Sequence, residues 1–507
     1  MELEFDRDKI VDYETAAELT LCQEETLESI VPDACPDILR IVDVCGQAVL
    51  SSKQAREGMA IITGMVRAVI LYQPEGGGGL RRMEVGLPFT CQAEASGLTE
   101  RGTVLACARL RCAEARVLNP RKVLLRVDLA VDVTACQPVE RTICCGVSNP
   151  EEPAVCQRQY TGEHYQISSV QEKPFTFSDQ IRLPSGPGEA PQLLTSRAQA
   201  ICTESKLIGS KLIFKGTVEL SCLMQEPGGG LSTLHESLPF SQILEVAGAS
   251  EDGACQVLVE ITDLRCETAE EDGRDLDVEV ELLAQAMVRC RRPVTLLQDL
   301  YSTNWLLEVE NETQELCQFE EQSVRPQAIR ELLETDGMVR SVVDSRLSLG
   351  QVTQTREGEE LVLNADVQLC ILYLDENELV QSARKSLSAS LRLNCPPQVQ
   401  CRCRCFCPGD VFAAPAAGGI EVRFHAEFHC LITRRLPVPS VQFARCGDAR
   451  STDGKRPSIV LRMPSPNESL WDIAKSYGTT MQKILQANEL DTEMLPAGRM
   501  LLIPSGR

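Results

Sequence analysis

The sequence predicts a mostly β protein of the α+β class: three repeated antiparallel β-rich domains, then a small strand–helix–helix–strand module. Three observations predict this. A block of sequence recurs along the first three quarters of the chain, its apolar residues alternate with period two, and the last fifty residues change to helical spacing. We expect the domains at residues 24–145, 172–295 and 313–440, a linker at 441–456, and the module at 457–507.

The duplication is clearest between residues 62–90, ITGMVRAVILYQPEGGGGLRRMEVGLPFT, and residues 214–241, FKGTVELSCLMQEPGGGLSTLHESLPFS. Each block has a glycine, an alternating stretch, a glycine-rich turn and then Leu-Pro-Phe. Alternating apolar residues on both sides of a glycine-rich turn are typical of a β-hairpin. Three landmarks keep nearly the same offset: Pro32, Gly64 and Pro88 recur as Pro184, Gly216 and Pro239.

A third copy begins at Leu363 with LNADVQLCILYLDENELVQ, where Ala365 takes the place of the glycine. Each copy then ends in a long alternating stretch: KVLLRVDLAVDVTAC, LDVEVELLAQAMVRC and IEVRFHAEFHC. Such alternation predicts strands with one buried and one solvated face. The segments SNPEEPAVCQRQ, NETQELCQFEEQ and CGDARSTDGKRPS are polar or rich in Pro and Glu, and we interpret them as linkers.

Charge and composition limit the classes of partner that the chain is expected to bind. The chain of 507 residues carries a formal charge of −23, which disfavours binding to phosphate backbones, so no nucleic-acid partner is expected. The excess lies upstream of Pro457, because residues 457–507 hold equal numbers of acidic and basic side chains. No run of apolar residues is long enough to span a bilayer, so direct membrane insertion is not expected. The acidic start MELEFDRDKIVDYE does not resemble a secretory leader, and we expect a cytoplasmic protein.

The stretch CRCRCFC, from Cys401 to Cys407, raises the question of metal binding. In a reducing compartment the 24 cysteines are expected to be free thiols or metal ligands. On an extended strand, four alternating thiols span about 20 Å, too far for one tetrahedral zinc ion. We therefore interpret the stretch as a strand whose cysteines pack as small apolar side chains. A metal site remains the alternative, with the weak candidates Cys405, Cys407 and Cys430.

No catalytic constellation is visible, and we expect no enzyme activity and no cofactor. The four histidines do not form a metalloprotease motif, since HAEFH lacks the order HExxH. The runs GGGG and GGG lack the Lys-Ser/Thr that follows a phosphate-binding loop, and they lie between predicted strands.

The C-terminal segment NESLWDIAKSYGTTMQKILQANELDTEMLPAGRMLLIP, from Asn467 to Pro504, is predicted to form two short amphipathic helices. Ser469 with Asp472 forms a start resembling a capping box, and Gly478 ends the first helix. Thr479 or Thr480 caps the second helix. The stretches IVLRM and MLLIP supply a strand on either side.

This segment resembles a LysM domain. The matching positions are Ser469, Leu470, Ile473, Ala474, Ala487, Asn488, Leu495, Gly498, Leu501, Ile503 and Pro504. The Gly-Asp that opens the family pattern is replaced by Asn467 and Glu468. The resemblance implies a binding groove for N-acetylglucosamine polymers or a protein, between loops 467–471 and 493–498. The implied site residues are Asn467, Glu468, Ser469, Leu470, Trp471, Leu495, Pro496, Ala497 and Gly498.

The upstream copies resemble SPOCS domains of spore-coat-associated proteins, on the residues PDILRIV, the G-x-V strand, Leu-Pro-Phe and EKPFTFSDQIRLPSG. SPOCS domains followed by a LysM domain are the architecture of SipL-like spore morphogenesis proteins. The resemblance implies a mother-cell scaffold at the forespore surface that helps to attach and encase the spore coat. Its implied partners are the coat ATPase, stage IV sporulation protein A, and other coat proteins. The alternative is a cell-wall or cortex protein that binds peptidoglycan.

Overall fold

A computed structural model describes residues 3–148, 154–183, 190–246, 253–268, 275–409, 411–450, 458–465, 468–495 and 499–504. The protein is mostly β, with several antiparallel sheets and two short helices near its C-terminus. Among the described residues, no helix has the length and apolar character required to cross a membrane.

The same order of strands occurs three times, and we call the three sets unit 1, unit 2 and unit 3. Unit 1 comprises β1 (Phe5–Ile30), β2 (Ile38–Arg56), β3 (Met59–Pro74), β4 (Arg81–Glu94), β5 (Thr103–Asn119) and β6 (Lys122–Val147). Unit 2 comprises β7 (Val155–Arg182), β8 (Gln192–Ile208), β9 (Lys211–Gln225), β10 (Leu231–Glu245), β11 (Ala254–Thr268) and β12 (Asp275–Ser302). Unit 3 comprises β13 (Trp305–Glu334), β14 (Val339–Glu357), β15 (Glu360–Asp375), β16 (Val380–Asn394), β17 (Val399–Phe406), β18 (Phe412–Ala416) and β19 (Gly419–Ala449).

Each unit pairs its first strand with its last strand and inserts a three-stranded meander between them. The meanders have the orders β2-β3-β4, β10-β9-β8 and β14-β15-β16. In unit 1 the meander packs against β5 and β6, so the apolar alternation seen in the sequence becomes one closed core. Units 2 and 3 have corresponding cores of their own.

The glycine of the G-x-V strand leaves room for the phenylalanine of Leu-Pro-Phe. Gly64 lies directly opposite Phe89, and Gly216 lies opposite Phe240. A Cβ on Gly64 would lie 2.7 Å from Phe89 Cε1, and one on Gly216 would lie 2.5 Å from Phe240 Cζ. In unit 3 the corresponding cross-strand pair is Ala365 and Ala389, so two small residues replace one glycine and one ring.

The paired strands contradict the predicted linkers. Residues 155–159 belong to β7, residues 311–322 belong to β13, and the proposed linker at 441–456 is strand as far as Ala449. Residues 451–456 lie outside the described part of the chain. The strands of the units also run past the expected bounds 24–145, 172–295 and 313–440. These segments are polar because each exposes one face of a long two-stranded ribbon, a pattern that composition alone does not distinguish from a linker.

The three meanders meet around a shared apolar cluster, which we call the axial core. It consists of corresponding residues from each unit, supplemented by neighbouring side chains. Its main members are Val42, Leu194 and Val343, then Leu71, Leu223 and Leu372, then Leu80, Leu231 and Val380. The three residues of each set occupy equivalent positions in units 1, 2 and 3. The meanders are therefore related by an approximate threefold arrangement.

Buried ion pairs surround the axial core. Asp43 of unit 1 lies 2.6 Å from Arg346 of unit 3, and Asp344 of unit 3 accepts two hydrogen bonds from Arg197 of unit 2, at 2.6 and 2.8 Å. Burial alone would raise the pKa of Asp43, but Arg346 and a second arginine outweigh it and hold that pKa below its ordinary value.

The long ribbons also join all three units. The buried ring of His164 in β7 accepts a hydrogen bond at Nδ1 from the Cys317 backbone N–H of unit 3, at 3.0 Å. Its Nε2 lies 3.4 Å from Asp12 of unit 1. Gln285 of unit 2 both donates to and accepts from the backbone of Ala106 in unit 1, at 2.7 and 2.8 Å. The units therefore form one body with shared polar contacts.

We predict that Gly64→Ala lowers the free energy of unfolding by about 1–3 kcal/mol, because the added methyl group overpacks the space held by Phe89. Gly228→Ala is the matched control, since a Cβ there meets no atom within 4 Å. Urea unfolding followed by circular dichroism measures both variants. Equal midpoints for the two variants would contradict the packing role of Gly64.

Candidate functional site

The C-terminal module consists of β20 (Ile459–Arg462), α1 (Leu470–Tyr477), α2 (Met481–Asn488) and β21 (Leu501–Pro504). The two strands pair antiparallel, with Leu461 opposite Leu502. The helices lie on one face of this small sheet, where Ile473, Ile484 and Ile503 are fully buried.

Local sequence signals set the bounds of both helices. Ser469 caps α1 by accepting a hydrogen bond from the Asp472 backbone, and Asp472 accepts one in return from the Ser469 backbone. Gly478 ends α1 with a left-handed φ of 63°. Thr480 caps α2 by accepting a hydrogen bond from the Lys483 backbone. The predicted helix starts and the predicted end at Gly478 are confirmed.

Asn488 joins the second helix to the last strand. Its side-chain amide donates to the carbonyls of Ile484 and Leu502, at 2.8 and 2.6 Å, and its Oδ1 accepts from the Leu502 backbone at 2.7 Å. This buried amide satisfies backbone groups that would otherwise lack partners. Asn488 therefore has a structural role in this module.

The module is docked on the end of unit 2. The indole N–H of Trp471 donates to Asp299 at 2.7 Å, and Lys475 donates to both oxygens of the same carboxylate at 2.6 and 2.8 Å. The Tyr301 ring packs edge-on against Trp471 with centroids 4.9 Å apart, and its hydroxyl donates to the Thr479 carbonyl at 2.8 Å. We call this contact the Asp299 latch.

Unit 2 is suited to this contact because of two residues at its end. All three units have a register shift near the end of the last strand, and the residue just after it is Gly146 in unit 1, Asp299 in unit 2 and Phe443 in unit 3. Two positions further on, unit 2 has Tyr301, whereas unit 1 has Ser148. Glycine and phenylalanine side chains cannot accept hydrogen bonds from an indole and an ammonium group.

The described members of the predicted site make contacts within the protein. Leu470 and Trp471 are buried, at 2% and 5% exposure, so neither is presented at an open groove. Ser469 caps a helix, and Glu468 forms an ion pair with Arg462 at 2.7 Å. Leu495 packs partly against the module core. Asn467, Pro496, Ala497 and Gly498 lie outside the described residues.

The solvent face of the small sheet is apolar, which the sequence reading missed. It presents five large side chains with exposures of 37–63%, and we call it the apolar sheet face. Its members are Ile459, Leu461, Met463, Met500 and Leu502. Alternation in IVLRM and MLLIP was the available signal, because one half of each alternating set has to face away from the helices. Contiguous exposed apolar surface of this kind marks contact sites on soluble proteins.

The cysteine-rich stretch is a strand, as predicted. Cys401, Cys403 and Cys405 of β17 pack against the core of unit 3, together with Cys407 just beyond the strand. Arg402 and Arg404 point the other way, and Arg404 donates to Thr134 of unit 1 at 2.9 Å. Of the candidate ligands, Cys405 lies opposite Phe428 and Cys430 lies opposite Cys403. Within the described ranges, no group of three or more His, Cys, Asp or Glu side chains is arranged to hold a metal ion.

Comparison with protein-family models gives two matches. Residues 465–504 match the LysM domain, and residues 190–269 match the SipL, SPOCS domain. The second match spans β8 to β11 of unit 2. A search of curated proteins finds no match to the chain. The chain therefore contains a SPOCS domain of the SipL type and a C-terminal LysM domain.

We predict that Asp299→Ala weakens docking of the module by about 2 kcal/mol, because the buried indole N–H and the ammonium group of Lys475 both lose their acceptor. The chain has only two tryptophans, so a Trp305→Phe background leaves Trp471 as the sole indole. Its emission is expected to shift to longer wavelength as water reaches it.

The control is Glu281→Ala, which removes an exposed carboxylate from the same strand. An Asp299→Ala emission spectrum identical to that of the Glu281→Ala control would show that the latch does not hold the module.

Proposed function

We propose that the protein is a non-enzymatic sporulation scaffold that helps to attach and encase the coat basement layer at the forespore surface, from the mother-cell cytoplasm. Its LysM domain is the protein-binding module, and its partner is stage IV sporulation protein A, with other coat proteins as further partners. The pairing of a SipL-type SPOCS domain with a LysM domain supports a role in sporulation. Units 1 and 3 are, in this proposal, further SPOCS domains, since they have the strand order of unit 2.

The observation that carries the protein-binding role is the apolar sheet face. Leu461 is 63% exposed and lies directly opposite Leu502, with Ile459 on the same side of β20 and the exposed Met463 just beyond the strand. Burying one leucine of this kind contributes about 1.5–3 kcal/mol to association. A hydrated sugar polymer has little apolar surface to cover such a face, whereas a protein partner does.

The Asp299 latch supports the same choice. The first LysM loop ends at Trp471, whose indole N–H is hydrogen-bonded to Asp299 of unit 2. A ligand that needs Trp471 has to compete with this internal contact. A partner that binds the apolar sheet face does not, because β20 and β21 present that face to solvent while the module stays docked.

A polar cleft of about 250 Å³ lies between units 1 and 3, and the pairing of its charges favours a structural role for them. Its arginine Arg384 pairs with Asp43 and Glu114, and its Lys385 pairs with Glu331 at 2.9 Å. Charges that neutralise one another at a domain junction are typical of structural ion pairs.

The rival function is binding of peptidoglycan in the cell wall or cortex, because LysM domains bind carbohydrate as well as protein. Sedimentation of the full chain with purified peptidoglycan separates the two. Retention that survives Leu461→Glu would favour the rival, and absence of retention would leave the protein partner.

We predict that Leu461→Glu weakens capture of stage IV sporulation protein A by at least about tenfold, which corresponds to ~1.4 kcal/mol. The matched control is Gln482→Glu, the same change of charge at an exposed position of α2. Biolayer interferometry with immobilised partner measures both, and circular dichroism verifies folding. Equal affinities for Leu461→Glu and the control would remove the apolar sheet face from the proposal.

A further inference from the structure

Unit 3 contains a close pair of thiols on neighbouring strands. Cys403 of β17 lies directly opposite Cys430 of β19, and their sulfur atoms are 3.6 Å apart. A disulfide needs about 2.05 Å between sulfurs, and side-chain rotation supplies a closure of this size when the strands already place the residues opposite each other. The backbone therefore holds the two thiols in position for a cross-strand bond.

The surroundings of the two thiols decide how an oxidant reaches them. The thiolate is the nucleophilic form of cysteine. Cys430 is 1% exposed, whereas Cys403 is only partly buried. A small oxidant therefore reaches the pair from the side of Cys403.

We propose that Cys403 and Cys430 are an oxidation site, at which a peroxide converts the two thiols into a cross-strand disulfide within unit 3. The thiolate of one cysteine attacks one peroxide oxygen and the O–O bond breaks. The leaving hydroxide takes up the proton that this thiol released on ionising, so the products are a sulfenic acid and one water. The sulfur of the other cysteine then attacks the sulfenic sulfur, the S–O bond breaks, and the released hydroxide takes the proton of the second thiol to form the second water. Two thiols and one peroxide give one disulfide and two waters.

The bond would tie β17 to β19 at a junction between units. On its opposite face, β17 reaches unit 1 through Arg402, which lies 3.3 Å from Glu18, and through Arg404 and Thr134. Oxidation would therefore fix the strand that carries these contacts. Both cysteines lie in unit 3, so their oxidation does not depend on the LysM partner.

The chain makes this proposal readily testable, because trypsin cleaves after Arg402 and Arg404. Digestion of the full chain places Cys401 on peptide 393–402, Cys403 on the dipeptide 403–404, Cys405 on peptide 405–423 and Cys430 on peptide 424–434. The reduced protein is treated with hydrogen peroxide, alkylated, digested and analysed by mass spectrometry. We expect peptide 424–434 linked to dipeptide 403–404, and loss of that link on treatment with dithiothreitol.

Two variants sharpen the assignment. Cys403→Ser is expected to abolish the link, whereas Cys405→Ser, on the same face of the same strand but opposite Phe428, is expected to leave it unchanged. Recovery of peptide 424–434 with Cys430 alkylated after peroxide would overturn the proposal. A link from peptide 424–434 to peptide 393–402 alone would also overturn it, since Cys403 would then not be the partner.

Discussion

The meeting of the three meanders at the axial core is the constraint on which the rest of the fold depends. Each meander supplies corresponding apolar residues, such as Val42, Leu194 and Val343, to one shared cluster. Ion pairs then run in one direction around it, from Asp43 to the next unit's Arg346, and from Asp344 to Arg197. A partnerless carboxylate at this depth would be strongly destabilising, so each unit needs its neighbour.

The junction between units 1 and 2 has no ion pair of this kind, because both the acidic and the basic residue are replaced there. Where the other units have Asp43 and Asp344, unit 2 has Thr195, and where the other units have arginine, unit 1 has Cys45. The acidic and the basic partner are thus both replaced by neutral residues, so neither charge is left unpaired. Burial raises the pKa of Cys45 to about 11, which keeps that thiol neutral. When one of the three junctions loses its acidic residue, the basic residue opposite also has to be replaced, because it would otherwise be buried without a partner.

The LysM domain is docked on this body through the Asp299 latch. Asp299 and Tyr301 dock it at one of three similar strand ends, which leaves the apolar sheet face directed outward. A binding module held in one orientation loses less freedom when it meets a partner than one on a loose tether. The body formed by the three units and the apolar sheet face are therefore separate parts, joined by a small polar contact around the Asp299 carboxylate.

The sequence predicted the parts governed by short-range physics. Alternation located the meanders, and Ser469, Gly478 and Thr480 fixed the helix bounds. It could not predict the long ribbons, because polar residues in 311–322 have the same composition whether they pair or link. Ion pairs such as Asp43 with Arg346 join positions far apart, and their pairing follows from how the units pack. The role of Asp299 had a faint signal, since the corresponding residues Gly146 and Phe443 are so different.

A double-mutant cycle on Asp43 and Arg346 tests the dependence of the units on one another most directly. Asp43→Ala, Arg346→Met and the double variant are unfolded in urea, and the coupling free energy is taken from the four stabilities. The shared axial core predicts a favourable coupling of about 1–3 kcal/mol between residues of units 1 and 3. Additivity to within about 0.5 kcal/mol would contradict it, because the two units would then fold without sensing each other at this contact.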